Sequence, residues 1–183
     1  MAQGDKVRDM MYAGLFAALI AVLGLIFIPL PISPVPISGQ SLAVMLAGSI
    51  LTVRQAAFSV LTFLLVGAAG VPVISGGNGG LGILVGPRGG YLIGFLVGAV
   101  VISLLKGTSN QVWRLALANI AGGIAVVYVL GMFWLSFVTG IGLEKALIAG
   151  VLPFIPGDLC KVVIATVIGT AVNRRLEKAG QRL

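Results

Sequence analysis

The sequence FIPGDLCK at positions 154–161 runs directly into the apolar segment VVIATVIGTAV at 162–172. The apolar segment predicts a helix that crosses a lipid bilayer, and Asp158 and Lys161 share one face of it because residues i and i+3 are neighbours on a helix. An ionisable group at the membrane centre costs roughly 2.5–3.5 kcal/mol on insertion scales. The pair therefore predicts a binding site. The alternative is that Asp158 caps the helix and Lys161 is only its ion-pair partner.

The composition of the whole chain identifies an integral membrane protein. Of its 183 residues, 58% are hydrophobic and 9% are charged, whereas about a quarter of a soluble domain is charged. One cysteine and no histidine argue against a metal or haem site and exclude a histidine-based catalytic triad. The net charge of +7 comes from basic residues between apolar runs and at both ends, which favours membrane orientation over nucleic-acid binding.

Six apolar segments predict transmembrane helices, so the fold class is an all-α integral membrane protein. The segments lie near 10–30, 40–52, 55–70, 90–106, 113–138 and 157–174. The first is longer than the apolar part of a signal peptide, so we expect it to be retained. The segment 143–152 is too short to span and predicts at most a surface helix. Residues 1–183 are thus expected to form a single transmembrane domain.

The basic residues predict how the chain is oriented. With a cytoplasmic N-terminus, the inner side carries Lys6, Arg8, Arg54, Lys106, Arg114, Arg174, Arg175, Lys178 and Arg182. The outer loops carry only Arg88 and Lys145. This bias predicts that both termini are cytoplasmic. A proline-rich loop (29–40), a glycine-rich loop (71–90) and the 154–161 stretch then meet at the outer face, where we expect a binding site.

Four further polar residues near these loops fit a small ligand. Asn78 lies among glycines, where backbone can approach a ligand closely, Arg88 and Tyr91 flank the start of the fourth span, and Gln40 ends the proline loop. Asn78 also suits a turn, Arg88 a lone external charge, and Tyr91 the membrane interface. With the charged pair, these side chains match a ligand that has an amide- or urea-like end and an anionic end.

Nucleotide motifs give no support for catalysis. The segment 77–82 has GxGxxG spacing, but that fingerprint needs a strand before it and a helix after it, and Gly86-Pro87 interrupts the chain. We expect no dinucleotide site. The chain has no GxxxxGK[ST] motif, so any ATP hydrolysis would come from a partner. The sequence predicts neither an enzyme nor a cofactor.

Small residues recur every four positions in two of the spans. Glycines at 90, 94 and 98 form a ridge in the fourth span, which we expect to pack inside the bundle. Ala13, Ala17 and Ala21 form a ridge in the first span. This alanine ridge begins near the cytoplasmic end, which makes it a candidate docking surface for a partner that supplies energy; packing within the bundle is the alternative.

These motifs resemble those of the BioY family, the biotin-binding S component of energy-coupling factor (ECF) transporters. The family patterns match PVPISGQ at 34–40, GPRGGY at 86–91 and FIPGDLCK at 154–161, of which the last is the most specific. The similarity covers nearly the whole chain. It implies a six-helix S-component fold in the bacterial cell membrane that captures biotin from outside for ATP-driven uptake.

The resemblance also implies site residues. The family's main polar contacts match Asp158, Lys161 and Asn78, with Gln40, Arg88 and Tyr91 as further contacts. Matching donors to acceptors places Asp158 and Asn78 against the ureido ring, and Lys161 with Arg88 against the carboxylate.

The same resemblance implies partners. Ala13 and Ala17 match an A-x-x-x-A ridge that docks a transmembrane coupling subunit, with Ala21 as an extension. Two ATPase subunits would complete the transporter.

Other classes of protein fit the sequence less well. A self-sufficient secondary transporter of a small organic acid would need an ion-coupling site, yet the chain has no acid between Asp9 and Glu144 and no visible repeat. An intramembrane enzyme with Lys161 or Cys160 as nucleophile would lack a base. An inert assembly protein would leave the polar residues unexplained.

Overall fold

The structure is a computed structural model that describes residues 3–107 and 111–179, with side chains from Val7 onward. Its helices are α1 (Gln3–Gly24), α2 (Gln40–Ile50), α3 (Val53–Ala68), α4 (Leu81–Val85), α5 (Gly89–Lys106), α6 (Val112–Ala118), α7 (Val127–Thr139), α8 (Leu143–Gly150) and α9 (Ile155–Lys178). A π-helical segment, Asn119–Val126, joins α6 to α7. The chain is therefore mostly helical, as the composition predicted. Two of the basic residues counted above, Arg182 and the side chain of Lys6, fall outside this description.

Four helical stretches in the described part of the chain are long and apolar enough to cross a membrane. They are Val7–Gly24, Gly89–Lys106, Val112–Thr139 and Ile155–Lys178. The helices α2 and α3 stand at the second and third predicted spans, with 11 and 16 residues. At 1.5 Å per residue, α2 covers about 16 Å, roughly half of a hydrocarbon core. Helices occupy all six predicted positions, and a crossing by α2 and α3 remains a prediction.

The first helix ends earlier than the sequence indicated. It stops at Gly24 rather than near residue 30, because Phe27–Ile28 (β1) leaves the helical path and pairs antiparallel with Ile37–Ser38 (β2). The hairpin folds the proline loop back over the end of the bundle. The helix expected within 143–152 is present as α8 and has a mostly exposed surface.

The core forms around α2 and α5. α5 packs against α7, α2, α3 and the π-helical segment, while α2 packs against α9 and α1. The glycine ridge of α5 faces inward, as predicted: a Cβ on Gly94 would lie 3.0 Å from the backbone of Val127, and Gly98 abuts the backbone of Gly122. Because these glycines carry no side chain, the two helices approach at backbone contact distance.

Polar side chains fix the end of α2 that lies away from the proline loop. Asn119 is fully buried; it accepts a hydrogen bond from Ser49 at 3.1 Å and donates to Thr166 at 3.4 Å. Lys106 Nζ donates to the carbonyl oxygens of Ser49 (3.2 Å) and Leu51 (2.5 Å). A cation at this position satisfies carbonyl groups that a helix C-terminus leaves without intrahelical partners. These bonds hold α2 between α5, α9 and the π-helical segment.

Candidate ligand-binding site

A cavity lies where the N-terminal ends of α2, α5 and α9 meet the start of α7. The proline loop lines it with Pro36 and Ser38, the glycine loop with Ser75, and the 154–161 stretch with Phe154. The cavity is open on one side, and its empty volume is about 550 Å³ when the adjoining solvent space is included. Three segments that are distant in the sequence thus line one cavity, as predicted. That this cavity faces outward and binds a ligand remains a prediction.

Asp158 forms the polar centre of this cavity. It lies in the first turn of α9 and is 6% exposed. Its Oδ1 accepts hydrogen bonds from Lys161 Nζ (2.7 Å) and Ser41 Oγ (3.1 Å), and its Oδ2 accepts one from the Tyr128 hydroxyl (2.7 Å). The N-cap residue of α9 is Phe154, with no side-chain capping bond. The alternative that Asp158 caps its helix is therefore wrong: its carboxylate connects α9 to α2 and α7.

Lys161 uses all three of its N–H donors within the protein. In addition to Asp158, its ammonium donates to the Ser38 carbonyl oxygen at 2.7 Å and to Ser41 Oγ at 2.9 Å. An ammonium group has three donors and no acceptor. Lys161 is thus fully satisfied as it stands, and it ties α9 to the segment where β2 leads into α2.

Arg88 joins the two loops at the mouth of the cavity. It directly precedes α5, and its guanidinium donates to the carbonyl oxygens of Pro34 (3.0 Å) and Ser75 (3.3 Å). Burial lowers the pKa of Arg88, but an arginine stays protonated in proteins. Within the described part of the chain Arg88 makes no ion pair. Since Lys161 is neutralised by Asp158, the cavity lining carries one uncompensated positive charge.

Gln40 and Tyr91 line the cavity but use their polar atoms to hold neighbouring segments. Gln40, 1% exposed, donates to the Val73 carbonyl oxygen at 3.1 Å and accepts from the Ser75 backbone N–H at 3.3 Å. The Tyr91 hydroxyl donates to the Gly150 carbonyl oxygen at 2.7 Å. Gln40 therefore anchors the glycine loop to α2, and Tyr91 anchors the end of α8 to α5.

Asn78 lies outside the cavity lining. It is exposed, and its side chain donates to the Ser75 carbonyl oxygen at 2.8 Å. Its backbone pairs with that of Ile74 across a tight turn, which positive φ angles at Gly76 (83°) and Gly77 (72°) make possible. The structure therefore brings five of the six predicted binding residues to the cavity and leaves Asn78 in the turn beside it. A contact between Asn78 and a ligand remains a prediction.

Two residues that contact Asp158 were not singled out from the sequence. Ser41 follows Gln40 directly, so its position at the end of the proline loop was available as a signal. Tyr128 lies within the long apolar helix Val112–Thr139 rather than at its ends. A tyrosine at membrane depth needs a partner for its hydroxyl, and that requirement was the signal for Tyr128.

The alanine ridge of α1 faces the bundle and not the surrounding membrane. Ala13 and Ala17 are 6% and 8% exposed, Ala21 is half-buried, and α1 packs against α3 and α2. This burial corrects the expectation that the ridge is open to a partner. The neighbouring small pair, Gly14 and Ala18, is exposed instead, with open space where a Gly14 Cβ would lie. Each residue turns a helix by about 100°, so a one-residue change of register exchanges the faces.

The described residues contain no group of three histidine, cysteine or acidic side chains that could hold a metal ion. Together, the apolar helices and this cavity define a helical membrane protein with a mostly apolar pocket that contains a buried ion pair.

Comparisons with known proteins agree that the chain is a helical membrane protein, and they identify its family. The model of the BioY family matches residues 1–178, and the chain belongs to this family. A relative named biotin transporter BioY, from Rhizobium etli, is 45% identical over 176 residues, covering 91% of this chain and 94% of the relative. One of the same name from Thermotoga maritima is 39% identical over 168 residues, covering 92% and 97%. A crystal structure of the S-component for biotin from an ECF-type ABC transporter matches with a TM-score of 0.88 and 36% identity, covering 100% of this chain and 97% of that one.

Proposed function

We propose that this protein captures biotin as the S component of an ECF-type transporter. The proposal is supported by the names of the relatives and by the match along the whole chain to an S-component for biotin. The structural observation that carries it is the buried Asp158–Lys161 pair, with Arg88 as a second cation in the same cavity. The carboxylate of Asp158 can accept a hydrogen bond from a neutral N–H group at one end of a ligand. The positive charge of Arg88 can bind an anionic group at the other end.

Asp158 would receive the ureido ring. A carboxylate offers about four lone-pair sites, and three of those on Asp158 are filled by Lys161, Ser41 and Tyr128. The remaining site belongs to Oδ2. A ureido N–H of biotin can donate there, whereas a ligand that presents only acceptor atoms would meet an anionic oxygen.

Arg88 would receive the carboxylate of biotin. The donors of Lys161 are already used by Ser38, Ser41 and Asp158, so a ligand would have to break one of these bonds to reach it. Arg88 brings a charge without an internal counter-charge in the described part of the chain. The proposed roles of the two cations therefore differ from those expected from the sequence, which placed both against the carboxylate of biotin. Lys161 holds Asp158, and Arg88 alone pairs with the anion.

The arrangement in the membrane is proposed from the same observations. α1, α2, α3, α5, the helix Val112–Thr139 and α9 form six spans of a single domain, with both termini cytoplasmic, as the basic residues predict. The cavity then opens outward. A transmembrane coupling subunit docks on the exposed Gly14–Ala18 face of α1, and two ATPase subunits supply the energy, so the chain itself needs no cofactor.

Equilibrium binding of biotin to the purified protein in detergent tests this function. The parent is expected to bind, and Asp158→Asn is expected to weaken binding by roughly tenfold to a hundredfold, because a hydrogen bond to a charged group contributes about 1.5–3 kcal/mol. Lys145→Ala, at an exposed position on α8, is the matched control and should bind as the parent does. A parent protein that takes up no biotin would refute the proposal.

A further inference from the structure

The hydroxyl group of Tyr128 holds one side of the Asp158 carboxylate. It donates to Oδ2 at 2.7 Å, and Tyr128 is 8% exposed. The other oxygen, Oδ1, is held by Lys161 and Ser41. Contacts from α9, α2 and α7 thus fix the carboxylate in one orientation, and one lone pair of Oδ2 has no partner among the described residues.

The π-helical segment Asn119–Val126 accounts for the direction in which Tyr128 points. A π-helix bonds residue i to i+5 and holds more residues in each turn than an α-helix does. One extra residue in a turn rotates everything after it by about 100°. Tyr128 follows this segment by two positions, so a regular α-helix continuing from α6 would turn its side chain away from Asp158.

Close packing holds the π-helical segment in place at its start and in its middle. At its start, Asn119 is tied to Ser49 and Thr166. In its middle, Gly122 abuts the backbone of Gly98, and a Cβ on Gly123 would lie 2.7 Å from the side chain of Met45. The π geometry is therefore part of the interface with α2 and α5. π-bulges of this kind occur frequently at functional sites.

We infer that Tyr128 is a positioning residue for ligand selection, acting through Asp158. By occupying one lone pair of Oδ2, its hydroxyl leaves a single acceptor with a fixed direction, which selects for one particular N–H of the ligand. Without the hydroxyl, the carboxylate has a second open acceptor on Oδ2 and is held only through Oδ1, by Lys161 and Ser41. This inference rests on the proposed function, since the ligand N–H belongs to the ureido ring of biotin.

Tyr91 provides a matched comparison in the same cavity. It is a second buried tyrosine of the lining, 6% exposed, but its hydroxyl donates to the Gly150 carbonyl oxygen and not to Asp158. Tyr128→Phe and Tyr91→Phe therefore remove the same group from similar surroundings. Only the first changes the bonding of the carboxylate.

The test compares binding of biotin with binding of two analogues, each methylated at one ureido nitrogen. The parent is expected to discriminate between the analogues, because only one of the two N–H groups donates to Asp158. Tyr128→Phe should reduce that discrimination by roughly tenfold, the scale of a lost hydrogen bond to a charged group. Tyr91→Phe should leave the ratio of the two affinities as in the parent, whatever it does to each affinity.

The possible outcomes separate the two proposals. If Tyr128→Phe weakens binding of biotin and of both analogues by one common factor, Tyr128 contributes only packing and the inference is overturned. If the parent binds biotin but does not distinguish the two analogues, the inference fails while the proposed function stands. If the parent does not bind biotin, both the proposed function and the inference about Tyr128 are refuted.

Discussion

Lys161 donates to Asp158 over 2.7 Å, one helical turn along α9, with the two side chains only 15% and 8% exposed. Breaking a buried ion pair by removing one partner is more costly than never forming it, because the other charge remains buried without compensation. The ion pair is thus needed for the stability of the fold, in addition to its place in the cavity. The contribution of the ion pair to stability can therefore be measured on the protein without any ligand.

Lys161→Ala should destabilise the folded protein by about 3 kcal/mol, the lower end of the cost of an orphaned buried charge. Thermal unfolding in detergent, without ligand, measures the change. The double variant Asp158→Asn with Lys161→Met should recover part of the loss, because it removes both charges. Equal stability of Lys161→Ala and the exposed control Lys145→Ala would show that the pair contributes nothing to the fold.

Arg88→Gln should weaken biotin binding by roughly tenfold to a hundredfold, the range for a lost charge-assisted contact. It should affect biotin amide, which lacks the negative charge, far less. Comparing the two ligands isolates the role of charge from that of the loop contacts to Pro34 and Ser75. If biotin and its amide lose affinity equally, Arg88 acts by closing the loops and the anion is bound elsewhere.

Gln40→Ala should loosen the glycine loop. The substitution removes the acceptor of the Ser75 N–H and the donor to the Val73 carbonyl oxygen, and backbone groups that lose their partners exchange hydrogen more readily. Hydrogen exchange across 71–80 should accelerate, while exchange in α9 stays unchanged. Gln111→Ala, at an exposed position, is the control. Unchanged exchange in the loop would mean that other contacts suffice to hold it.

Two substitutions in α1 distinguish its inner and outer faces. Gly14→Leu adds a bulky side chain to the exposed face of α1 and should reduce biotin uptake by cells that carry the complete transporter, with binding to the isolated protein unchanged. Ala13→Leu adds volume to a packed interface and should destabilise the fold by about 1–3 kcal/mol. If Gly14→Leu supports full uptake, the coupling subunit docks on some other surface.

The positions of the helices were largely readable from the sequence. Apolar length and flanking charge act locally, so the stretches near 90–106 and 113–138 correspond closely to Gly89–Lys106 and Val112–Thr139. The end of α1 was misplaced, since residues after Gly24 remain apolar although they form β1. Composition does not distinguish an apolar helix from an apolar hairpin strand, whose pairing depends on residues ten positions later.

The sequence also did not determine which face of α1 is buried. Ala13 with Ala17 and Gly14 with Ala18 are both small pairs at a four-residue spacing, and the spacing alone gives no reason to prefer the first pair, which the family pattern matches. Packing against α3 and α2 buries the first pair and leaves the second exposed. The choice depends on the rotation of the helix about its axis, which is fixed by its neighbours.

The sequence by itself determined the membrane class, the family and the charged pair, because apolar length, motif residues and the i, i+3 spacing of Asp158 and Lys161 are local properties. Tertiary structure alone decided which atoms the pair contacts. Ser41 lies 117 positions from Asp158, and Tyr128 lies 30 positions away. Those contacts require the turn of the proline loop, the added rotation of the π-helical segment and the packing of α2 against α9. They arise from the burial of helix faces against one another, which no local spacing specifies.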